Sequence, residues 1–223
     1  MTDVVSLDAV TREFGSGTQR ITPVRALSLA VSPGEILGIA GPSGCGKSTL
    51  LRLAAGLERP DLGTVRYGEM PAWNGRRRHP SYPRPGYVMP VFQDPSASLD
   101  ARWPIWKTLT EPVHRLYSSR SERRSIADRW LAEARLEHVD RDARPCQLSG
   151  GQCQRIAVLR ALIAEPALIV ADEPTARQDI ITAAALSAML RSAADNGTAI
   201  MIVSHNRVWL ESLTPRIVDL SRC

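Results

Sequence analysis

Short, continuous apolar runs recur along the chain and have the length of β-strands rather than of helices. Four of them stand at residues 35–41, 86–92, 168–172 and 198–204. Runs that are apolar at successive positions are typical of a sheet that is covered on both faces. Apolar residues at helical spacing predict three helices, over residues 47–57, 151–164 and 180–194. Because strands alternate with helices, we predict an α/β core with a mainly parallel sheet.

The middle of the chain has a different pattern. Strand-like runs are missing there, and charged helical segments are predicted over residues 105–117 and 121–136. We therefore expect a single domain in which residues 1–93 and 146–223 form the α/β core. Residues 94–145 are expected to form a helical subdomain inserted into that core.

Length and composition favour a protein of the cytoplasm. The chain has 223 residues, 43% of them hydrophobic, which suffices for one domain or for a domain with an inserted lobe. The longest apolar stretches are five residues, whereas a helix that spans a bilayer needs about 20. Asp3 and Asp8 interrupt the N-terminal region, where a secretory signal would need a basic start and an apolar run.

The net charge of +5, with a basic run at 76–79, raises the question of a nucleic-acid surface. The basic residues are 26 arginines and two lysines, spread along the whole chain. An even distribution of arginines is more typical of a codon-usage bias than of a localised nucleic-acid-binding surface. A basic surface would also suit acidic lipid head groups or a membrane partner equally well. We expect no nucleic-acid partner.

The four cysteines predict neither a disulfide framework nor a zinc site. They lack the C-x-x-C spacing and neighbouring histidines that such sites need. They stand at Cys45, Cys146, Cys153 and Cys223.

A glycine-rich segment between the first strand and the first helix matches the phosphate-loop pattern G-x-x-x-x-G-K-[ST] at every fixed position. Its glycines, Gly44 and Gly46 among them, let a turning backbone point several N–H groups at one phosphate chain. Lys47 is placed to bridge the β- and γ-phosphates, Ser48 to bind Mg²⁺ and Thr49 to contact the α-phosphate. The candidate nucleotide-binding residues of this loop are Gly41, Pro42, Ser43, Gly44, Cys45, Gly46, Lys47, Ser48 and Thr49.

The strand at 168–172 ends in two carboxylates, Asp172 and Glu173. Asp172 is a candidate for holding the metal ion, usually through water. Glu173 lies beyond the strand end, where it can act as the general base on an attacking water. The alternative is a strand followed by acidic residues that cap a helix.

A second glycine motif, Leu148-Ser-Gly-Gly-Gln152, is not needed to bind a nucleotide within one chain. Its serine and its helix N-terminus could form a second anion-binding helix end. With the phosphate loop it indicates a chain that binds ATP and needs a second copy or a sister chain to complete the site. The alternative is that Gly150 and Gly151 simply form a helix-starting turn.

Taken together, these motifs resemble the ATP-binding subunit of an ABC transporter, and the resemblance covers nearly all of the chain. It implies a P-loop NTPase (RecA-like) core, an N-terminal antiparallel β subdomain and an inserted α-helical subdomain. It also implies hydrolysis of ATP with Mg²⁺ as the cofactor.

The resemblance implies roles for further residues. Gln93 would contact Mg²⁺ and the attacking water, and His205 would bind the γ-phosphate. Ser149, Gly150, Gly151 and Gln152 would cap the γ-phosphate that the partner subunit holds. Phe14 would stack on adenine, although a lone phenylalanine or histidine is more often structural. The catalytic candidates are Lys47, Gln93, Glu173 and His205, and the metal candidates are Ser48, Gln93 and Asp172.

One segment departs from the family pattern. After Thr175 the family usually reads Ser-Ala-Leu-Asp, whereas this chain reads Ala176-Arg-Gln-Asp179. The segment links the two composite sites in the family. Its change suggests adaptation to a non-identical partner.

The run from Val91 to Arg102, followed by Glu111 and Pro112, is similar to the ATPases of oligopeptide, dipeptide and nickel or metal-chelate importers. That resemblance implies a second ABC ATPase subunit, two transmembrane permeases and, indirectly, an extracytoplasmic binding protein. It also implies a peripheral location on the cytoplasmic face of the membrane. One alternative is an accessory ATPase of a phosphonate-degrading complex. The other is a nucleotide-binding regulator that does not hydrolyse ATP, and the presence of Glu173 and His205 disfavours this second alternative.

Overall fold

A computed structural model of the protein describes residues 2–15, 20–73, 79–94, 98–175 and 180–220. Its strands are β1 (Val5–Phe14), β2 (Ile21–Val31), β3 (Ile36–Ala40), β4 (Leu62–Tyr67), β5 (Met70–Pro71), β6 (Val88–Val91), β7 (Leu168–Asp172), β8 (Ala199–Val203) and β9 (Ile217–Asp219). Its α-helices are α1 (Lys47–Ala54), α2 (Ile105–Leu109), α3 (Arg120–Glu133), α4 (Gly150–Ile163), α5 (Ile180–Asp195) and α6 (Arg207–Leu213).

Five strands form a parallel sheet in the order β6-β7-β8-β3-β9. Alternate residues of these strands face two separate cores, as the pleat of a strand requires. Leu37, Leu168 and Met201 pack on one face with α1 and the N-terminal strands. Ile169 and Ile200 pack on the other face with the remaining helices. Burial on both faces explains the continuous apolar runs and confirms the predicted α/β core.

The N-terminal strands form a second, antiparallel sheet in the order β2-β1-β4-β5. The apolar pattern did not reveal these strands, although the family resemblance implied them. Irregular pairing is the reason, since Ala9 and Ala26 adopt positive φ angles of 45° and 43° and the register of β1 against β2 shifts repeatedly. Such bulges interrupt the alternation by which a half-exposed strand is identified.

The segment between β6 and α4 is helical as predicted, but its first helix is shorter than expected. The helix predicted over 105–117 ends at Leu109. Thr110 Oγ1 donates to the carbonyl of Trp106 at 2.8 Å, and Pro112 has no N–H to continue the ladder. The following residues, up to Leu116, form turns. The helix α2 packs against α3 and α4, so these helices share the core of the parallel sheet.

The register of the parallel strands brings their carboxyl ends to one edge. Val203 of β8 pairs with Ile39 of β3 on one side and with Asp172 of β7 on the other, and Val91 of β6 pairs with Ala171. Loops that follow the carboxyl ends of such strands are where open α/β sheets bind ligands. The sheet therefore gathers the loops after β3, β6, β7 and β8.

Candidate functional site

The loop between β3 and α1 makes a close turn that depends on glycine. Gly41, Gly44 and Gly46 have φ angles of 146°, 82° and 99°. A Cβ added at Gly46 would lie 2.1 Å from the backbone oxygen of Pro23, so β2 presses directly against the loop. Any side chain at Gly46 would displace the loop from its support.

Lys47 begins α1, and its side chain turns back over the loop. Its Nζ donates to the carbonyls of Gly41 and Pro42 at 2.9 and 2.7 Å, and only 6% of the residue is exposed. Lysine is seldom so buried unless it is paired. A cation held here, beside the N-terminus of a helix and exposed loop residues such as Ser43 and Gly44, suits a chain of phosphate groups.

Glu173 follows β7 in a backbone conformation that is uncommon for its residue type, with a φ angle of 51°. Its Oε1 accepts from the His205 backbone N–H at 2.6 Å, and its Oε2 accepts from Ser204 Oγ at 3.3 Å. The His205 Nε2 lies 3.7 Å from the same carboxylate. The carboxylate is thus fixed between the ends of β7 and β8.

Burial raises the pKa of Glu173 above its usual value, and the repulsion of Asp172 adds to this effect. The His205 backbone N–H, the His205 side chain and the Ser204 hydroxyl oppose it. A carboxylate with a raised pKa is a stronger base than an exposed one, as proton abstraction from water requires.

These elements surround a cavity of about 450 Å³. It collects predicted residues from five separate parts of the chain. They are Phe14, Ser43, Gly44, Gly46, Lys47, Ser48, Thr49, Gln93, Asp172, Glu173 and His205. Gly41, Pro42 and Cys45 complete the loop without lining the cavity, and the first two instead supply the carbonyls that hold Lys47.

The second glycine motif lies elsewhere, since residues 148–152 do not line this cavity. Ser149 caps α4, accepting from the Gln152 N–H at 3.2 Å, while Gln152 Oε1 accepts from the Ser149 N–H at 2.8 Å. Gly150 is exposed, and a Cβ at this position would meet no atom within 4 Å. The prediction of a helix start is therefore correct, but nothing within this described part of the chain requires glycine at position 150.

The chain is similar in sequence to known proteins of one family. Residues 24–176 match the family model described as ABC transporter. The chain belongs to the ABC transporter family. It is 35% identical over 209 residues to the probable D,D-dipeptide transport ATP-binding protein DdpF of Escherichia coli K12 and 34% identical over 208 residues to the nickel import ATP-binding protein NikE of the same strain. The match covers 92% of this chain in both cases, but 62% of DdpF and 77% of NikE.

Solved structures support the same assignment. The dimeric ATP-binding cassette MJ0796, bound to ADP and Pi in a post-hydrolysis state, superimposes with a TM-score of 0.84. The two chains are 29% identical, and the match covers 96% of this cassette and 93% of the other. The cbiO1 subunit from Clostridium perfringens has the same fold, with a TM-score of 0.78 at 23% identity over 98% of this chain and 85% of that one. The predicted resemblance and fold class are confirmed.

The residues around the cavity fit ATP and Mg²⁺. The backbone N–H groups of the glycine loop and the Lys47 ammonium suit a chain of phosphate groups, and the aromatic side chain of Phe14, which also lines the cavity, suits a base. Across the described ranges, no group of three or more His, Cys, Asp and Glu side chains is placed to hold a metal ion. A hydroxyl, an amide and one carboxylate, from Ser48, Gln93 and Asp172, suit Mg²⁺, which usually keeps several waters and takes further ligands from substrate phosphates.

Several cavity and motif contacts were missed by sequence reasoning. Ile21 and Pro23 line the cavity from β2, and Ser204 holds Glu173 from the end of β8. His138 contacts Gln152, with 3.2 Å between its Nε2 and the glutamine Nε2. A regular apolar alternation in β1 and β2 would have indicated that Ile21 lies beside Phe14. The shifts in register between these strands interrupt that alternation.

Two predictions fall outside the described residues. They are the altered loop of Ala176–Asp179 and the basic run at 76–78. Part of the importer-like segment, residues 95–97, also lies outside them. None of the helices that the structure describes is both long and apolar enough for a membrane crossing.

Proposed function

We propose that this cassette hydrolyses ATP and powers an ABC importer. The observation that carries the proposal is the cavity in which the phosphate loop, two acidic residues and His205 converge from separate strand ends. Similarity to a cassette solved with ADP and Pi supports hydrolysis rather than binding alone.

In the proposed reaction, the backbone of the glycine loop and Lys47 hold the phosphates. Bound Mg²⁺ would neutralise phosphate charge, and Ser48, Gln93 and Asp172 would hold it. Glu173 takes the proton of the attacking water, because it is the buried carboxylate on this cavity with a raised pKa. His205, whose side chain is 54% exposed and lines the cavity, is the group that would contact the γ-phosphate.

The site needs a second cassette. The capped helix end at Ser149 does not line the cavity of its own chain, and glycine at position 150 leaves room for an approaching ligand. The dimeric state of the similar cassette MJ0796 supports an arrangement in which this helix end covers a partner's nucleotide. Loss of the shared γ-phosphate would then separate the pair.

The substrates we propose are peptides, nickel ions or metal chelates, taken up through partner permeases. The printed functions of DdpF and NikE support this class, together with the similar segment from Val91 to Arg102. The cassette would work as a peripheral subunit at the cytoplasmic face of the membrane.

A tagged chain should co-purify from detergent extracts with a second ABC ATPase and two permeases. Recovery with phosphonate-degrading enzymes instead would contradict the importer assignment.

We expect Gly150→Asp to abolish ATP turnover without damaging the fold. Aspartate has room at this position and stabilises a helix N-terminus, so the melting temperature should stay the same or rise. Its charge would oppose the γ-phosphate of the partner site and lower ATPase activity by about a hundredfold or more.

The measurement compares the steady-state ATPase rate of the assembled cassettes with ATP binding to the single chain, which should be unchanged. Gly150→Ala is the matched control and should cause a much smaller loss. Wild-type turnover by the aspartate variant would show that this helix end does not meet a nucleotide.

We expect turnover to fall as the pH is lowered, starting at a higher pH than an exposed glutamate would give. Glu173 must be ionised to accept a proton, and burial raises its pKa, so the base is lost earlier on acidification. The hydrogen bond from Ser204 lowers the pKa of Glu173. Ser204→Ala removes this bond and should therefore shift the acidic limb of the pH–rate profile to a still higher pH. An unmoved acidic limb would contradict the role of Glu173 as the titrating base.

A further inference from the structure

Phe14, the aromatic residue at the end of β1, is supported by a neighbouring cation. The guanidinium carbon of Arg12 lies 4.6 Å from the centre of the Phe14 ring, within the range of a cation–π contact. The Phe14 ring lines the nucleotide cavity, whereas Arg12 does not. The guanidinium thus packs on a ring that belongs to the cavity lining without itself being part of that lining.

Arg12 is itself held by two acidic residues. Its Nε donates to Glu58 at 3.2 Å, and its Nη1 donates to both carboxylate oxygens of Asp61 at 3.1 Å. Its side chain is 25% exposed and that of Glu58 is 16% exposed, so the first pair is partly shielded from water. These contacts leave the flat guanidinium little freedom to leave the ring.

The same acidic residues also form hydrogen bonds to the backbone of β1 and to the helix that follows the phosphate loop. Asp61 accepts from the N–H of Glu13, next to Phe14, at 2.7 Å, and its own N–H donates to the Thr11 carbonyl. Glu58 also accepts from Arg52 of α1 at 3.3 Å. The ring position is thus coupled to the element that carries Lys47.

We propose that Arg12 is a positioning residue for base recognition. It holds the Phe14 ring at a fixed distance from the phosphate loop, so that a nucleobase stacks on the ring face opposite the guanidinium while the phosphates lie on Lys47. Ile21, which is 63% exposed and pairs with Phe14 across the strands, extends this apolar surface. The proposal rests on ATP binding in the cavity as proposed above.

The role separates two parts of the ligand. Arg12 acts on the base end, so its loss should weaken binding of ATP but leave binding of inorganic tripolyphosphate, which has no base, unchanged. A general disturbance of the fold would weaken both ligands. Because base stacking is the same in the ground and transition states, KM for ATP should rise while kcat stays constant.

The test measures both ligands by calorimetry on the full chain. Arg12→Met, similar in length but uncharged, should weaken ATP binding about three- to tenfold and leave tripolyphosphate unaffected. Arg12→Lys keeps a cation near the ring and both acidic partners, and should restore most of the affinity. Phe14→Ala should weaken ATP binding about tenfold or more, and adding Arg12→Met to it should cause no further loss.

Arg66→Met is the matched control, since Arg66 is an exposed arginine of the same antiparallel sheet that does not line the cavity. Equal weakening of both ligands by Arg12→Met, or weakening of neither, would overturn the positioning role and leave the proposed function intact. If Lys47→Ala leaves binding of both ligands unchanged, the proposed function fails, and the role of Arg12 fails with it.

Discussion

Replacing Glu173 with glutamine is expected to lower ATP turnover by about 10²- to 10⁴-fold while ATP binding persists. The amide oxygen of glutamine can still accept from the His205 N–H, and its NH₂ group can donate to Ser204 Oγ, so the loop geometry should survive, but the amide cannot take a proton from water. With hydrolysis stopped, paired cassettes should accumulate in the presence of ATP and Mg²⁺. Steady-state phosphate release and size-exclusion chromatography with light scattering measure the two effects.

The matched control is Glu165→Gln. Glu165 is also a glutamate with a positive φ angle, of 45°, but it is exposed and does not line the nucleotide cavity. Its replacement should leave turnover unchanged. Rapid hydrolysis by the Glu173 variant would exclude this residue as the base, and solitary ATP-loaded chains would contradict the shared site.

The second large effect is expected from Lys47→Ala, which should weaken ATP binding by about a hundredfold or more. The ammonium would make charge-assisted hydrogen bonds to the phosphates, each contributing about 1.5–3 kcal/mol. In the structure it bonds to the Gly41 and Pro42 carbonyls, so its removal also loosens the loop. Calorimetry with ATP and with tripolyphosphate should show the loss for both ligands, since both occupy the phosphate loop.

This chain offers a close control, because it has one other lysine. Lys107 lies 3.9 Å from the ring centre of Trp103, on α2, and outside the cavity. Lys107→Ala should bind ATP like the unaltered chain. ATP affinity that survives Lys47→Ala would refute the assignment of the loop to phosphates.

Several features could be predicted from the sequence because the residues that form them are close together in the chain. The phosphate loop needs glycines, a lysine and a hydroxyl within eight positions, and the second glycine motif needs a helix cap within five. The strands around them are buried on both faces, so their apolar runs are continuous. Such patterns depend on local backbone geometry and do not depend on how the rest of the chain is arranged.

Other features were not predicted from the apolar pattern, some for local reasons and some because they depend on which strands become neighbours. The end of the predicted helix at 105–117 was wrong, since the back-bonded Thr110 and Pro112 outweighed its apolar spacing. The N-terminal sheet was obscured by its bulges. The support of Phe14 by Arg12 needs acidic residues from a turn more than forty positions away.

From the sequence we could predict a loop that suits a chain of phosphate groups and a helix that starts at the second glycine motif. The Glu173 carboxylate, in contrast, owes its burial and its hydrogen-bond partners to the fold. Its pKa depends on burial between β7 and β8 and on donors 31 and 32 positions further along the chain. Burial and hydrogen bonding are set by strand order, and in this sheet β8 lies between β7 and β3, an order that local sequence patterns do not encode.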